Sequence, residues 1–104
     1  MSDKMIERLR AYLDKDPDDT FTRFALALEY QKKDDVEQAR SLFEAILSDD
    51  PNYVGTYYHL GKLYEQMNAT EKARETYHNG IRVAQTANDH KSLAELQEAL
   101  QVLE

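Results

Sequence analysis

The chain has no cysteine, only two prolines and only three glycines among its 104 residues. Without cysteine it has no disulfide framework, no thiolate nucleophile and no cysteine-based zinc site. So few glycines and prolines cannot supply the many turns of an all-β domain. Helix-forming residues (Ala, Leu, Glu, Gln, Lys and Arg) dominate instead. The composition therefore predicts a helical protein, and the length predicts one domain.

The sequence also lacks any apolar run near the roughly 18 residues of a membrane span, and its N-terminus lacks the apolar stretch of a secretory signal. We therefore expect a cytoplasmic protein. The 13 basic and 20 acidic residues give a net charge of −7. Such a surface repels phosphate backbones and anionic lipids, so we expect neither nucleic acid nor membranes as partners.

The two prolines, Pro17 and Pro51, lie 34 residues apart, and each follows an aspartate. A shift of the chain by 34 residues aligns small residues with small ones and aromatic residues with aromatic ones. The matching pairs are Thr22 and Thr56, Leu26 and Leu60, Ala27 and Gly61, Tyr30 and Tyr64, Ala39 and Ala73, Arg40 and Arg74, and Phe43 and Tyr77. The chain therefore contains an internal repeat with a period of 34 residues.

Each repeat divides into two segments whose apolar residues recur every three or four positions, which predicts two amphipathic helices. Asp34 and Asn68 lie between the paired segments. Because Asp and Asn tolerate the left-handed conformation best among non-glycine residues, we expect each to end a helix there. Asp35, and Thr70 or its neighbour, are then expected to cap the following helices.

The stretch YYHLGKLYEQMNATEKARETY, residues 57–77, resembles the tetratricopeptide repeat family. It carries large residues at Tyr57, Tyr64 and Tyr77 and small ones at Gly61 and Ala73. The first repeat follows the same pattern, except that arginine at position 23 replaces the usual large aromatic residue. The resemblance implies an all-α fold in which helix-turn-helix repeats stack as a short right-handed superhelix, an α-solenoid of about six helices.

On this interpretation, residues 1–104 form one domain. Its expected parts are an N-terminal capping helix (3–15), repeat 1 (20–53), repeat 2 (54–87) and a C-terminal capping helix (90–103). Met5, Leu9 and Tyr12 fall in register with the second helix of a preceding repeat. Gly80 and Gln85 replace the usual Ala and Pro, so the second helix of repeat 2 is predicted to continue beyond them.

The stretch LDKDPDDTF, residues 13–21, alternates aspartates as a calcium-binding EF-hand loop does. That loop requires glycine at its sixth place, where Asp19 stands, and a bidentate glutamate at its twelfth, where Ala25 stands. We therefore predict no calcium site. Instead, Asp18 or Asp19 is expected to cap a helix that begins near Thr20.

The three histidines, His59, His78 and His90, lack the spacings of metal-binding motifs. His59 and His78 could approach each other across a helix pair, but ordinary surface positions are favoured. No nucleophile elbow, phosphate-binding loop or dinucleotide fingerprint is present. We therefore predict no cofactor, no metal and no enzymatic activity.

The family resemblance implies that the first helix of each repeat lines a concave groove for an extended or helical peptide. We transfer the groove positions of the family to the aligned positions of this chain, and we call each set of aligned positions a column. The expected groove residues are then Phe21, Phe24, Leu28, Gln31 and Lys32 from repeat 1, and Tyr58, His59, Lys62, Glu65 and Gln66 from repeat 2. The C-terminal helix is expected to add Lys91, Glu95 and Glu98. An open alternative is that Phe24 and Leu28 pack against the N-terminal helix instead.

The predicted function is a non-catalytic protein-interaction module that binds a peptide or a partner protein in this groove. Family members that grip terminal carboxylates use paired Lys and Asn, whereas here only Lys62 offers charge, so that specific function is disfavoured. The alternative is a structural role, in which a hydrophobic face mediates self-association as a homodimer or larger homo-oligomer.

Overall fold

The computed structural model describes residues 2–104, and within that range the chain is helical with no strand. Its six helices are α1 Ser2–Lys15, α2 Thr20–Lys32, α3 Val36–Asp49, α4 Gly55–Gln66, α5 Thr70–Ala87 and α6 His90–Leu103. The prediction of an all-α fold with about six helices is confirmed. The helices fall into two compact units, unit 1 (α1–α3, ending at Asp49) and unit 2 (α4–α6, beginning at Asp50). The predicted single domain and its subdivision stay predictions.

The turns within the helix pairs have the left-handed backbone that the sequence predicts. Asp34 has a φ of 62° and Asn68 a φ of 61°. A third such residue, Asn88 with a φ of 56°, ends α5 and was not predicted. At all three places a short polar side chain tolerates a conformation that costs other side chains more. The extension of α5 through Ala87 confirms that this helix continues beyond Gln85.

The beginnings of the helices differ in part from the predicted caps. Asp19 is the cap residue of α2, but its carboxylate accepts a hydrogen bond from the Thr22 hydroxyl and not from a backbone N–H. Asp35 accepts from the backbone N–H of Gln38 at 3.4 Å. The cap position of α5 falls on Ala69, the residue before Thr70, and it makes no side-chain bond.

Unit 1 has its core between α2 and α3, and α1 packs on α2. The buried apolar residues are Ile6, Leu26, Ala27, Tyr30, Ala39, Phe43 and Ile46. Arg23, in the column of the missing aromatic residue, is also buried. Its guanidinium Nη1 lies 2.8 Å from Oδ2 of Asp49. This ion pair compensates a charge that would otherwise be costly to bury.

In unit 2, α5 packs against both α4 and α6. The buried apolar residues are Tyr57, Leu60, Leu63, Tyr64, Ala73, Tyr77, Ala84, Leu96, Ala99 and Leu100. The Tyr57 hydroxyl donates to the backbone carbonyl of Pro51 at 2.5 Å, which ties the turn before α4 to that helix. The buried residues of α4 are Thr56, Tyr57, Leu60, Gly61, Leu63 and Tyr64, and its other residues are half-buried or exposed.

Candidate functional site

The five predicted site residues of repeat 1 lie on α2 with different degrees of exposure. Phe21 is 69% exposed at the start of the helix. The ring of Phe24 is half-buried and packs edge-on against Phe43 of α3, with 5.9 Å between the ring centroids. The remaining three are Leu28 and Gln31, both half-buried, and Lys32, which is exposed. Phe24 is therefore in part a core residue, through its contact with α3.

Four of the five predicted residues of repeat 2 lie together on α4, and we call Tyr58, His59, Lys62 and Glu65 the α4 cluster. The Lys62 ammonium lies 5.6 Å from the centroid of the Tyr58 ring and 3.9 Å from Oε2 of Glu65. The His59 ring meets the Tyr58 ring edge-on, with 5.6 Å between centroids. All four side chains are half-buried, and the fifth residue, Gln66, is exposed.

Glu65 is held in place by a contact that the sequence did not predict. The hydroxyl of Tyr77, a fully buried residue of α5, donates a hydrogen bond to Oε2 of Glu65. Burial raises the pKa of Tyr77, and the bond to the Glu65 carboxylate raises it further. The repeat pattern marks Tyr77 as a large residue, but it does not indicate which group the buried hydroxyl bonds.

The electrostatics of His59 involve α6. Burial lowers the pKa of His59, and the carboxylate of Glu95 opposes this in part. The imidazole is therefore neutral at pH 7 and can both donate and accept a hydrogen bond. Glu95 is exposed, as are the two other residues that the sequence assigned to this surface, Lys91 and Glu98.

Each unit also has a surface cleft that was not predicted. In unit 2, a cleft of about 690 Å³ between α5 and α6, the α5/α6 cleft, is lined by His78, Ile81, Gln97, Leu100, Gln101 and Glu104. In unit 1, a cleft of about 380 Å³ lies among the three helices. Arg10 lines the unit 1 cleft, and its Nε donates to the Tyr30 hydroxyl at 2.6 Å. Such depressions depend on where helices diverge in space, which repeat spacing alone does not describe.

Residues 2–104 contain no group of three or more His, Asp or Glu side chains that could together hold a metal ion. Among the helices described, none is both long and apolar enough to span a membrane.

Comparison with known proteins identifies the family. The profile of the tetratricopeptide repeat matches residues 30–100. The chain is similar to a solved tetratricopeptide repeat domain protein from Salinibacter ruber, with 51% identity and a TM-score of 0.80 over 85% of this chain and 89% of that one. A solved protein from Bordetella parapertussis is 31% identical, with a TM-score of 0.83 over 94% of this chain and 85% of that one.

A longer relative is the cellulose synthase operon protein C of Pseudomonas fluorescens, which is 34% identical over 85 residues. The match covers 82% of this chain but spans only 7% of the length of that protein. The repeat fold is in general a non-catalytic fold for protein interaction, which indicates protein partners. The profile match over most of the chain establishes that it belongs to the tetratricopeptide repeat family.

Proposed function

We propose that the chain is a non-catalytic module that binds a peptide or a partner protein, and that the α4 cluster is the central part of its binding surface. The observation that carries this proposal is the arrangement of Tyr58, Lys62 and Glu65. An aromatic ring, a cation and a carboxylate lie side by side, half-exposed, and contact one another. A few such aromatic and charged residues usually dominate the binding energy of an interface.

The three side chains would have distinct roles. Tyr58 offers a ring face as an apolar anchor, and Lys62 offers a cation to a ligand carboxylate or backbone carbonyl. Glu65 offers an acceptor for a ligand N–H. Because Tyr77 already orders Glu65, and Lys62 already contacts Tyr58, less side-chain entropy is lost on binding. Apart from the group that contacts Lys62, the ligand is expected to be neutral or basic, because the chain has a net charge of −7.

On α2, the proposed binding residues are Phe21, Phe24, Leu28, Gln31 and Lys32. Phe21 is the strongest candidate among them, since an aromatic side chain that is 69% exposed gains most from being covered. Phe24 has a half-buried ring that already packs against Phe43.

The experiment is a selection of random peptides displayed on phage against the immobilised chain, followed by fluorescence anisotropy with the enriched peptides. We expect peptides with an apolar anchor and dissociation constants on the order of micromolar. The variant Tyr58→Ala with Lys62→Ala should weaken their binding at least about tenfold, with little change in the melting temperature. The control is Arg82→Ala with Gln85→Ala, which removes two exposed side chains, one of them a cation, from α5.

Two results would contradict the proposal. In the first, no peptide is enriched. In the second, the enriched peptides bind the Tyr58 and Lys62 double variant as tightly as the unchanged chain.

A second candidate function, self-association, is favoured by exposed large apolar side chains. Met5 is 44% exposed, Tyr12 55% and Val102 79%, in addition to Phe21. Large exposed apolar side chains are typical of interaction surfaces when they are grouped. Sedimentation at micromolar concentration tests this function, and a chain that stays monomeric would exclude it.

A further inference from the structure

We propose that α1 of one copy of the chain packs into the α5/α6 cleft of a second copy, so that copies join head to tail. This proposal rests on the self-associating function and is independent of the peptide-binding surface on α4. It specifies the two faces that meet, the partner and the symmetry of the assembly.

The helices alternate between two types. Leu26, Leu60 and Leu96 occupy the same column, which makes α2, α4 and α6 first helices of a repeat. Met5 shares a column with Ala39 and Ala73, which makes α1, α3 and α5 second helices. In the structure α2 packs against α3 and α4 against α5, so each first helix pairs with the second helix that follows it. Within residues 2–104, α6 and α1 have no such mate.

The α5/α6 cleft lies at a defined position of the repeat. The residues that line it include the apolar side chains of Ile81 and Leu100. In the repeat alignment Leu96 lies 36 residues beyond Leu60. The same shift of 36 residues aligns Gln97 with Gly61 and Leu100 with Tyr64. On α4, Gly61 is the residue at which α5 packs closely, since the backbone of Gly61 lies against the Tyr77 ring of α5. The α5/α6 cleft therefore corresponds to the place where a second helix packs in repeat 2.

One side of α1 is exposed. On α1, Ile6 is buried, and Leu9 and Leu13 are half-buried. Met5, Arg8, Tyr12 and Lys15 are all exposed, and their spacing of three and four residues puts them along one side of the helix. We call this set the α1 stripe. It combines two large apolar side chains with two cations. The main contact of α1 is with α2.

The side-chain sizes set how closely the two helices can pack in this register. In repeat 2, the first helix supplies the small residue Gly61, and the second helix supplies Ala73 and the large residue Tyr77. In the proposed interface Gln97 and Met5 are larger than Gly61 and Ala73, and Leu9, which borders the α1 stripe, is smaller than Tyr77. The smaller Leu9 offsets only part of this gain in volume, so α1 lies farther from α6 than α5 does from α4.

The charges of the α1 stripe and of the α5/α6 cleft are complementary. The α1 stripe carries Arg8 and Lys15, whereas the residues lining the cleft include Glu104 and neither Lys nor Arg. Pairing of two α1 stripes would bring like charges together, which disfavours a two-fold symmetric dimer through this face. An interface between two different faces is heterologous, so it produces a ring if it closes and a filament if it does not.

The test uses three variants that each add two lysines at exposed positions. The first disrupts the stripe by Met5→Lys with Tyr12→Lys, and the second disrupts the cleft by Gln97→Lys with Gln101→Lys. The control, Asn52→Lys with Thr86→Lys, changes charge equally outside both faces. A lysine forced into an apolar interface must lose its hydration, which strongly disfavours association. Circular dichroism melts check that all three variants fold as the unchanged chain does.

Sedimentation velocity from about 1 to 100 micromolar should show assembly of the unchanged chain and of the control, beyond the 12.1 kDa of one copy. Each disrupted variant alone should remain monomeric. An equimolar mixture of the two should form dimers and nothing larger, because only one intact stripe and one intact cleft meet.

The outcomes separate this interface from self-association in general. An unchanged chain that stays monomeric overturns both. Assembly that persists in either disrupted variant overturns this interface but leaves self-association in place. A mixture that stays monomeric, or that grows beyond dimers, also overturns the head-to-tail arrangement.

Discussion

The backbone of Gly61 lies directly against the ring of Tyr77. A methyl group added at Gly61 would stand 2.2 Å from Cε1 of Tyr77, far inside van der Waals contact. The helices α4 and α5 can pair at this distance only because Gly61 has no side chain. A second glycine, Gly80, has the same relation to Tyr57, whose Cβ an added methyl would approach to 2.5 Å.

We predict that Gly61→Ala lowers the free energy of unfolding by about 1–3 kcal/mol. The cost of overpacking against the buried Tyr77 exceeds the gain of up to about 1 kcal/mol in helix propensity. Urea denaturation measures the difference. The matched control is Gly55→Ala, an exposed position in the first turn of the same helix, which should be neutral or stabilising. Equal stabilities of Gly61→Ala and the unchanged chain would contradict the prediction.

The hydrogen bond from Tyr77 to Glu65 leads to a second prediction. Tyr77→Phe should lower the free energy of unfolding by about 1 kcal/mol, because it removes a bond to a carboxylate while keeping the ring. After Glu65→Ala, the same change should cost less, since the acceptor is gone. Denaturation of the four members of this double-mutant cycle measures the coupling. Tyr12→Phe, on an exposed ring, should have no effect, and additivity in the cycle would contradict the assigned bond.

The left-handed backbone conformation of Asn68 leads to a third prediction. Asn68→Ala should cost about 1 kcal/mol of unfolding free energy, because a β-carbon without a polar group is strained at a φ of 61°. Asn68→Gly should be neutral or stabilising, since glycine adopts this conformation freely. Thermal or urea unfolding tests both. Asn52→Ala, in a turn outside the left-handed region, controls for the loss of the amide.

His59 should make the stability depend on pH. Its pKa in the folded chain is lowered by burial, from about 6.5 in the unfolded chain. The unfolded state therefore binds the proton more readily, so this contribution is intact above about pH 6.5 and is lost as the pH falls through the lowered folded pKa. The difference in unfolding free energy between the unchanged chain and His59→Gln should shrink or reverse from pH 7.5 to pH 5. A constant difference over this range would contradict the prediction.

Much of the fold could be predicted because it depends on local rules. The 34-residue period, the helical spacing of apolar residues and the turn residues Asp34 and Asn68 are all properties of neighbouring positions. The same alignment predicts that Tyr58, Lys62 and Glu65 lie near one another, since residues three or four apart on a helix share a face. Their role in binding stays a prediction. The caps were predicted less well. Asp19 has the right position, but its carboxylate found a nearer donor in the Thr22 hydroxyl.

The sequence by itself determined the family, the six helices and the chemical character of each helix face, because these follow from period, propensity and spacing. Only the tertiary structure decided how individual side chains are used. Arg23 occupies a position where the family usually has an aromatic residue, and it forms an ion pair with Asp49. The Tyr77 hydroxyl donates a hydrogen bond to Glu65, and the Phe24 ring packs against Phe43. Each of these contacts joins two helices, so it depends on the distance and rotation between them, which no local pattern specifies.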